Sequence, residues 1–194
     1  MKYLSPALVL MAALILHAQT AYAGSITFMG NLSGANEVPP TSSPGTGVVT
    51  VILDPALQTL KEHVTFSGLT APDTMAHIHC CAPLGTNVGV ATLAPFLPGF
   101  PMGVTSGTFD HTFSLTDLAF YNLPFVAAHG GTVAGAEAAL VTGIEDEQTY
   151  FNIHTGNFPG GEIRSQLFEV PEPASLALLG SALLGFGLMR RRRS

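Results

Sequence analysis

Positive charge is scarce in this chain and is confined almost wholly to its ends. Apart from Lys2 and Arg190 to Arg193, the only basic side chains are Lys61 and Arg164. Twelve carboxylates from Glu37 to Glu169 face those two, so the stretch 24–169 carries a net charge of about −10 with histidine counted neutral. Such a segment repels phosphate backbones and offers no basic face to anionic lipid, which excludes nucleic acid as a partner class. Cysteine is scarcer still, with only Cys80 and Cys81, side by side. Neighbouring residues pair only through a strained eight-membered ring, which rules out an ordinary loop-stapling disulfide within the monomer. A vicinal disulfide, free thiols, an intermolecular bridge and soft-metal ligation all stay open. Also missing are a nucleophile elbow, a phosphate loop and an HExxH helix, so hydrolysis and phosphoryl transfer find no support. No internal repeat is present.

The ends carry the long apolar runs. Lys2 precedes the stretch Pro6 to Leu16, which leads to Ala21-Tyr22-Ala23 before Gly24. That order of positive, apolar and small residues predicts a secretory signal peptide over 1–23, cut by signal peptidase after Ala23. Its apolar core is too short to span a bilayer. At the other end Pro171-Glu172-Pro173 blocks any helix running in from the domain, and the apolar run Ala174 to Met189 is just long enough to cross a membrane. The four arginines that follow hold the tail end in the cytoplasm.

Between the ends, short segments rich in Val, Ile, Thr and Phe alternate with Gly, Pro, Asn and Ser. Strands are expected at Ser25 to Met29, Gly47 to Leu53, Thr59 to Phe66, Met75 to Cys80, Gly89 to Leu93, Thr105 to Leu115, Thr149 to His154 and Gly161 to Phe168. This pattern predicts one all-β domain over 24–169, a Greek-key-like β-sandwich or barrel of immunoglobulin-like or superoxide-dismutase-like kind. In the third segment Leu60, Glu62, Val64 and Phe66 share one face. A helix is expected from Thr132 to Leu140, where alanines run between Gly131 and Gly143, with a shorter helical turn at Thr116 to Tyr121. Two proline-stiffened loops stand out, Glu37 to Gly45 and Ala94 to Met102. Phe96 and Phe100 in the second are expected to fold back over the open end of the domain.

The residues that suggest chemistry lie on the strands. His77 and His79 point to one face of their strand, about 7 Å apart at the backbone. His154 shares its face with Tyr150 and Asn152 on a later strand. If the two strands neighbour each other, three imidazoles meet in a site suited to copper or zinc, with Cys80 and Cys81 as further soft ligands. Read without a metal, the same histidines tie strand to strand by hydrogen bonds, for example to Glu162. His63, His111 and His129 lack partners at ligand spacing. Arg164, isolated among carboxylates, is expected to form a structural ion pair with Glu37 or Glu162.

Four motifs occur in order: Leu32-Ser33-Gly34-Ala35-Asn36-Glu37-Val38-Pro39-Pro40, Ala76-His77-Ile78-His79, Asn152-Ile153-His154-Thr155 and Pro159-Gly160-Gly161-Glu162-Ile163-Arg164. Together they resemble the CHRD domain, first described in chordin, and the likeness covers nearly all of 24–169. It implies an all-β fold and a surface context rather than an activity. Ser165 stands where the family pattern has glycine, and Cys80-Cys81 replace its glycine-rich turn. Met75 to His79 also looks like the paired-histidine strand of copper/zinc superoxide dismutase, although no residue here answers to that family's bridging histidine or metal-binding aspartate. The tail 170–194 resembles the PEP-CTERM sorting signal of Gram-negative bacteria. That resemblance implies recognition by an exosortase-type enzyme, cleavage near Pro171 to Pro173 and delivery through an inner-membrane intermediate to the cell surface or extracellular matrix.

The reading from sequence is therefore an exported module at the cell surface, non-catalytic, with a binding or structural role in the envelope or exopolysaccharide matrix. Extracellular polysaccharide or surface proteins would be its partners, and membrane association is transient, through the tail. A copper- or zinc-binding protein using His77, His79 and His154 is the alternative.

Overall fold

The computed structural model describes residues 24–171. The expected cleavage point at Ala23, the motif residues Glu172 and Pro173, and the apolar run 174–189 all lie outside that range. Among the described residues no helix is long and apolar enough to cross a membrane.

Eight strands form one antiparallel sheet: β1 (Ile26–Ser33), β2 (Thr46–Asp54), β3 (Thr59–Ser67), β4 (Asp73–Cys80), β5 (Gly107–Ser114), β6 (Thr149–Thr155), β7 (Ile163–Gln166) and β8 (Phe168–Glu169). Their spatial order is β4-β6-β7-β1-β2-β3-β5, with β8 continuing alongside β1, and the sheet curls into a half-barrel. Alternation decides what each strand buries. Val49, Val51 and Leu53 of β2 face inward, as do Leu60, Glu62, Val64 and Phe66 of β3. The intervening Lys61, His63 and Thr65 stay partly exposed.

The curl leaves a gap between β4 and β5, which lie at its two edges. Phe100 fills it, with its ring 5.2 Å from that of Phe109 on β5, 5.7 Å from Phe66 on β3 and 6.1 Å from Phe151 on β6. The loop that carries Phe96 and Phe100 thus folds back over the open side, as its composition suggests. Helices α1 (Leu123–Ala128) and α2 (Val133–Glu145) supply Phe125, Val126, Ala136, Leu140 and Ile144 to the same core.

Two local readings change. The segment Gly89 to Leu93 makes only isolated bridges, Val90 to His79 and Thr92 to Tyr121. The Thr92 hydroxyl accepts from the Ile78 amide at 3.0 Å, so a side chain takes a donor that a strand backbone would otherwise meet. Helix α2 starts where expected, with the Thr132 hydroxyl capping Gly135, but runs through Gly143 to Glu145. Gly143 lies against the sulfurs of Cys80 and Cys81, where an added Cβ would collide with both, so this glycine permits close packing instead of ending the helix.

Candidate metal centre

Strands β4 and β6 pair in antiparallel register, with Met75 opposite His154, His77 opposite Asn152 and His79 opposite Tyr150. The paired residues Ala76 with Ile153 and Ile78 with Phe151 belong to the core cluster. By alternation His77, His79, Tyr150, Asn152 and His154 share the opposite face. That face is no solvent surface, because loops cover it. His77, His79 and His154 are 1%, 8% and 5% exposed.

The structure brings the three histidines together: one nitrogen from each lies within 4.8 Å of the others. The Nε2 atoms of His77 and His154 stand 3.2 Å apart. Zinc or copper bonds to imidazole are about 2.0 to 2.1 Å long, and two nitrogens on one tetrahedral ion then sit a little over 3 Å apart.

The other ring nitrogens fix the tautomers. His79 Nδ1 lies 2.7 Å from the Val88 carbonyl, His154 Nδ1 3.0 Å from that of Pro159 and His77 Nδ1 3.4 Å from that of Pro95. A carbonyl oxygen only accepts, so each Nδ1 carries the proton and donates it. Each Nε2 is then a bare lone pair. With that tautomer the His77 and His154 Nε2 lone pairs face each other, and His79 Nε2 is buried with no hydrogen-bond partner. Protonation would relieve the repulsion, but burial disfavours the imidazolium form. Desolvation, with lesser contributions from the neighbouring rings, lowers His77 to about 3. Desolvation likewise outweighs the Val88 bond and lowers His79 to about 4, and it lowers His154 too. Three neutral donors converging in a buried cluster, each braced at Nδ1 by a carbonyl, form the donor set a transition metal takes.

The cysteines do not join them. Cys80 and Cys81 are bonded to each other, and Cys80 is part of the core cluster on the far side of β4 from His79. Of the alternatives open from sequence, the vicinal disulfide is the one present.

The expected ion pair of Arg164 with Glu37 or Glu162 does not form either. Arg164, 2% exposed, donates from Nε to the Asn36 carbonyl at 2.8 Å and from Nη1 to Asn87 Oδ1 at 2.7 Å. Its guanidinium lies 4.3 Å over the Tyr150 ring, while the His79 ring stacks on Tyr150 at 4.5 Å. Glu162 is met instead by hydroxyls: Ser43, Thr70 and Thr155 donate to it, with the Thr70 amide. Burial opposes its ionisation, but those donors outweigh burial and hold its carboxyl below the usual value. Neutral donors in the loops thus do the work expected of opposite charges. Asn36, Asn87 and the carbonyls of Val88, Pro95 and Pro159 are the site residues that strand patterns miss, since all lie in irregular loops. Asn36 and Pro159 fall within motifs, beside Glu37 and at the head of the glycine pair before Glu162, whereas nothing in the sequence marks Asn87, Val88 or Pro95.

All four motifs meet here, and comparison with protein families agrees. The family model described as the CHRD domain matches residues 28–167. The chain belongs to the CHRD domain family. A second model, the PEP-CTERM protein-sorting motif, matches residues 169–193. No curated protein and no solved structure matches the chain. With the sorting motif directly behind it, this CHRD domain is exported and surface-associated, and an exosortase-type enzyme processes its tail.

Proposed function

We propose that the CHRD domain is a metal-binding module displayed on the cell surface, holding copper or zinc through Nε2 of His77, His79 and His154. The observation that carries this reading is the convergence of three buried imidazole nitrogens within 4.8 Å of one another, on rings whose Nδ1 atoms each donate to a loop carbonyl. With each Nδ1 donating to its carbonyl, His77 and His154 turn acceptor to acceptor at 3.2 Å, a contact that a shared cation satisfies. The surface address fits the reading, because an exported domain reaches metal outside the cytoplasm. Removal of the signal peptide after Ala23 and passage through an inner-membrane intermediate complete the proposed route.

Titration of the purified protein with Zn(II) and Cu(II) tests the reading. One equivalent should bind, His77→Ala together with His79→Ala should abolish binding while the fold persists, and His63→Ala should change nothing. His63 is bonded to Asp110 on the outer face of the sheet, away from the cluster. Equal binding by the double variant would refute the site.

A further inference from the structure

The three imidazoles are neutral, so a cation among them would sit in a buried cluster with no ligand of opposite charge. Arg164, whose charge acts on His79, has the same sign as a metal. A buried cation without a compensating anion is costly.

One carboxylate is placed to supply the charge. Glu37 follows the 3-10 turn Gly34–Asn36 and is 5% exposed. Its Oε1 is buried with no hydrogen-bond partner, and so is Oδ1 of Asn152. The two side chains share the space left by Gly161, where an added Cβ would stand 2.7 Å from Glu37 Oε1 and 2.6 and 2.8 Å from the Asn152 amide atoms. Asn152 is the cross-strand partner of His77 and lies two residues before His154 on the same face. The other buried carboxylates bond or lie elsewhere. Glu162 is surrounded by donors, Asp73 accepts from the Val104 amide, and Glu62 is on the core side of β3. Among the described residues the ion pairs are those of Lys61 and His63 with Asp110, so no contact pair with Arg164 neutralises Glu37.

We infer that Glu37 is the charge-compensating anion of the metal site and selects a divalent over a monovalent ion. The inference rests on the three-histidine reading and deepens it. Glu37 does not ligate; it acts through space on the charge of the ion. Burial pushes its carboxyl up to about 7, against the opposing pull of Arg164 and Asn152.

The test compares ions of different charge on the same three ligands. Affinities for Zn(II) and, under anaerobic conditions, Cu(I) are measured by competition with chelating probes for the wild-type protein, Glu37→Gln and Glu37→Ala. Coulomb energy scales with ionic charge, so the loss in log affinity for Zn(II) should be about twice that for Cu(I). With losses typical of a removed outer partner, that means about a hundredfold against about tenfold. The visible spectrum of the Co(II) form should stay unchanged, showing an intact ligand set. Equal fold losses for both ions would assign Glu37 a merely structural role and overturn the inference, as would no loss for either. Should the wild-type protein bind neither ion, the three-histidine reading falls first and this inference with it.

Discussion

At the residue scale, what distinguishes this domain is buried polarity of two kinds. The histidines on the outer face of β4 and β6 are braced by carbonyls. Glu62, on the inner face of β3, has nothing: it is fully buried and neither carboxylate oxygen has a partner. Its cross-strand neighbours are Val51 on β2 and His111 on β5. Burial pushes the Glu62 carboxyl up to about 8 from an unfolded value of 4.5. The native state therefore holds a proton that the unfolded state has lost, and this group makes stability fall as pH rises from about 4.5 to about 8. One unit is worth about 1.4 kcal/mol, so the loss amounts to a few kcal/mol at most. Glu62→Gln should remove that slope, and Glu62→Leu should raise stability at pH 8 by roughly 2 kcal/mol or more, seen in denaturant midpoints across pH. A stability difference between wild type and Glu62→Gln that stays constant over that range would contradict the burial, because Glu37 and the buried histidines titrate alike in both proteins. Strand alternation already places Glu62 with Leu60, Val64 and Phe66, so its burial was legible in sequence. Its lack of a partner was not, because that depends on which side chains of β2 and β5 come opposite.

Among the elements, the same division between local and long-range information recurs. Strands β2, β3 and β6 follow from period-two alternation and β-branched residues within the strand itself. That β4 lies beside β6, which makes the site, is a matter of strand order, and no local pattern encodes it. Gly143 and the segment Gly89 to Leu93 were misjudged for the same reason. Each is governed by a neighbour distant in sequence, the Cys80–Cys81 pair in one case and the Ile78 backbone in the other. Arg164 shows how β7 fastens the covering loops: it joins the turn at Asn36, the loop at Asn87 and the ring of Tyr150. Replacing it with Ala removes both of these hydrogen bonds from a buried guanidinium, its contact with the Tyr150 ring and the positive charge beside Glu37. Hydrogen bonds made by a buried charged group are worth about 1.5 to 3 kcal/mol, whereas an exposed pair is worth below about 1 kcal/mol. Chemical denaturation of Arg164→Ala should show the larger loss, and a loss below about 1 kcal/mol would mean that Arg164 does not hold the loops.

For the whole molecule, the account joins a surface address to a metal centre. The domain ends at β8 and the sorting motif begins at residue 169, so processing can remove the tail without touching a ligand. Protein recovered from the native cell surface should have a mass that ends near Pro171 to Pro173, and an attached arginine tail would leave a simple anchor in place of sorting. Bound metal should also stabilise the fold, by about 2.7 kcal/mol at a free concentration one hundred times the dissociation constant, if the unfolded chain does not bind. The central claim, that three Nε2 atoms form one coordination site, is tested most directly by a crystal structure of the protein grown with Zn(II), with anomalous scattering to locate the ion. The account predicts one ion about 2.0 to 2.1 Å from Nε2 of His77, His79 and His154, with each Nδ1 still bonded to its carbonyl. Zinc bound only to surface groups, with those three nitrogens left bare, would contradict it.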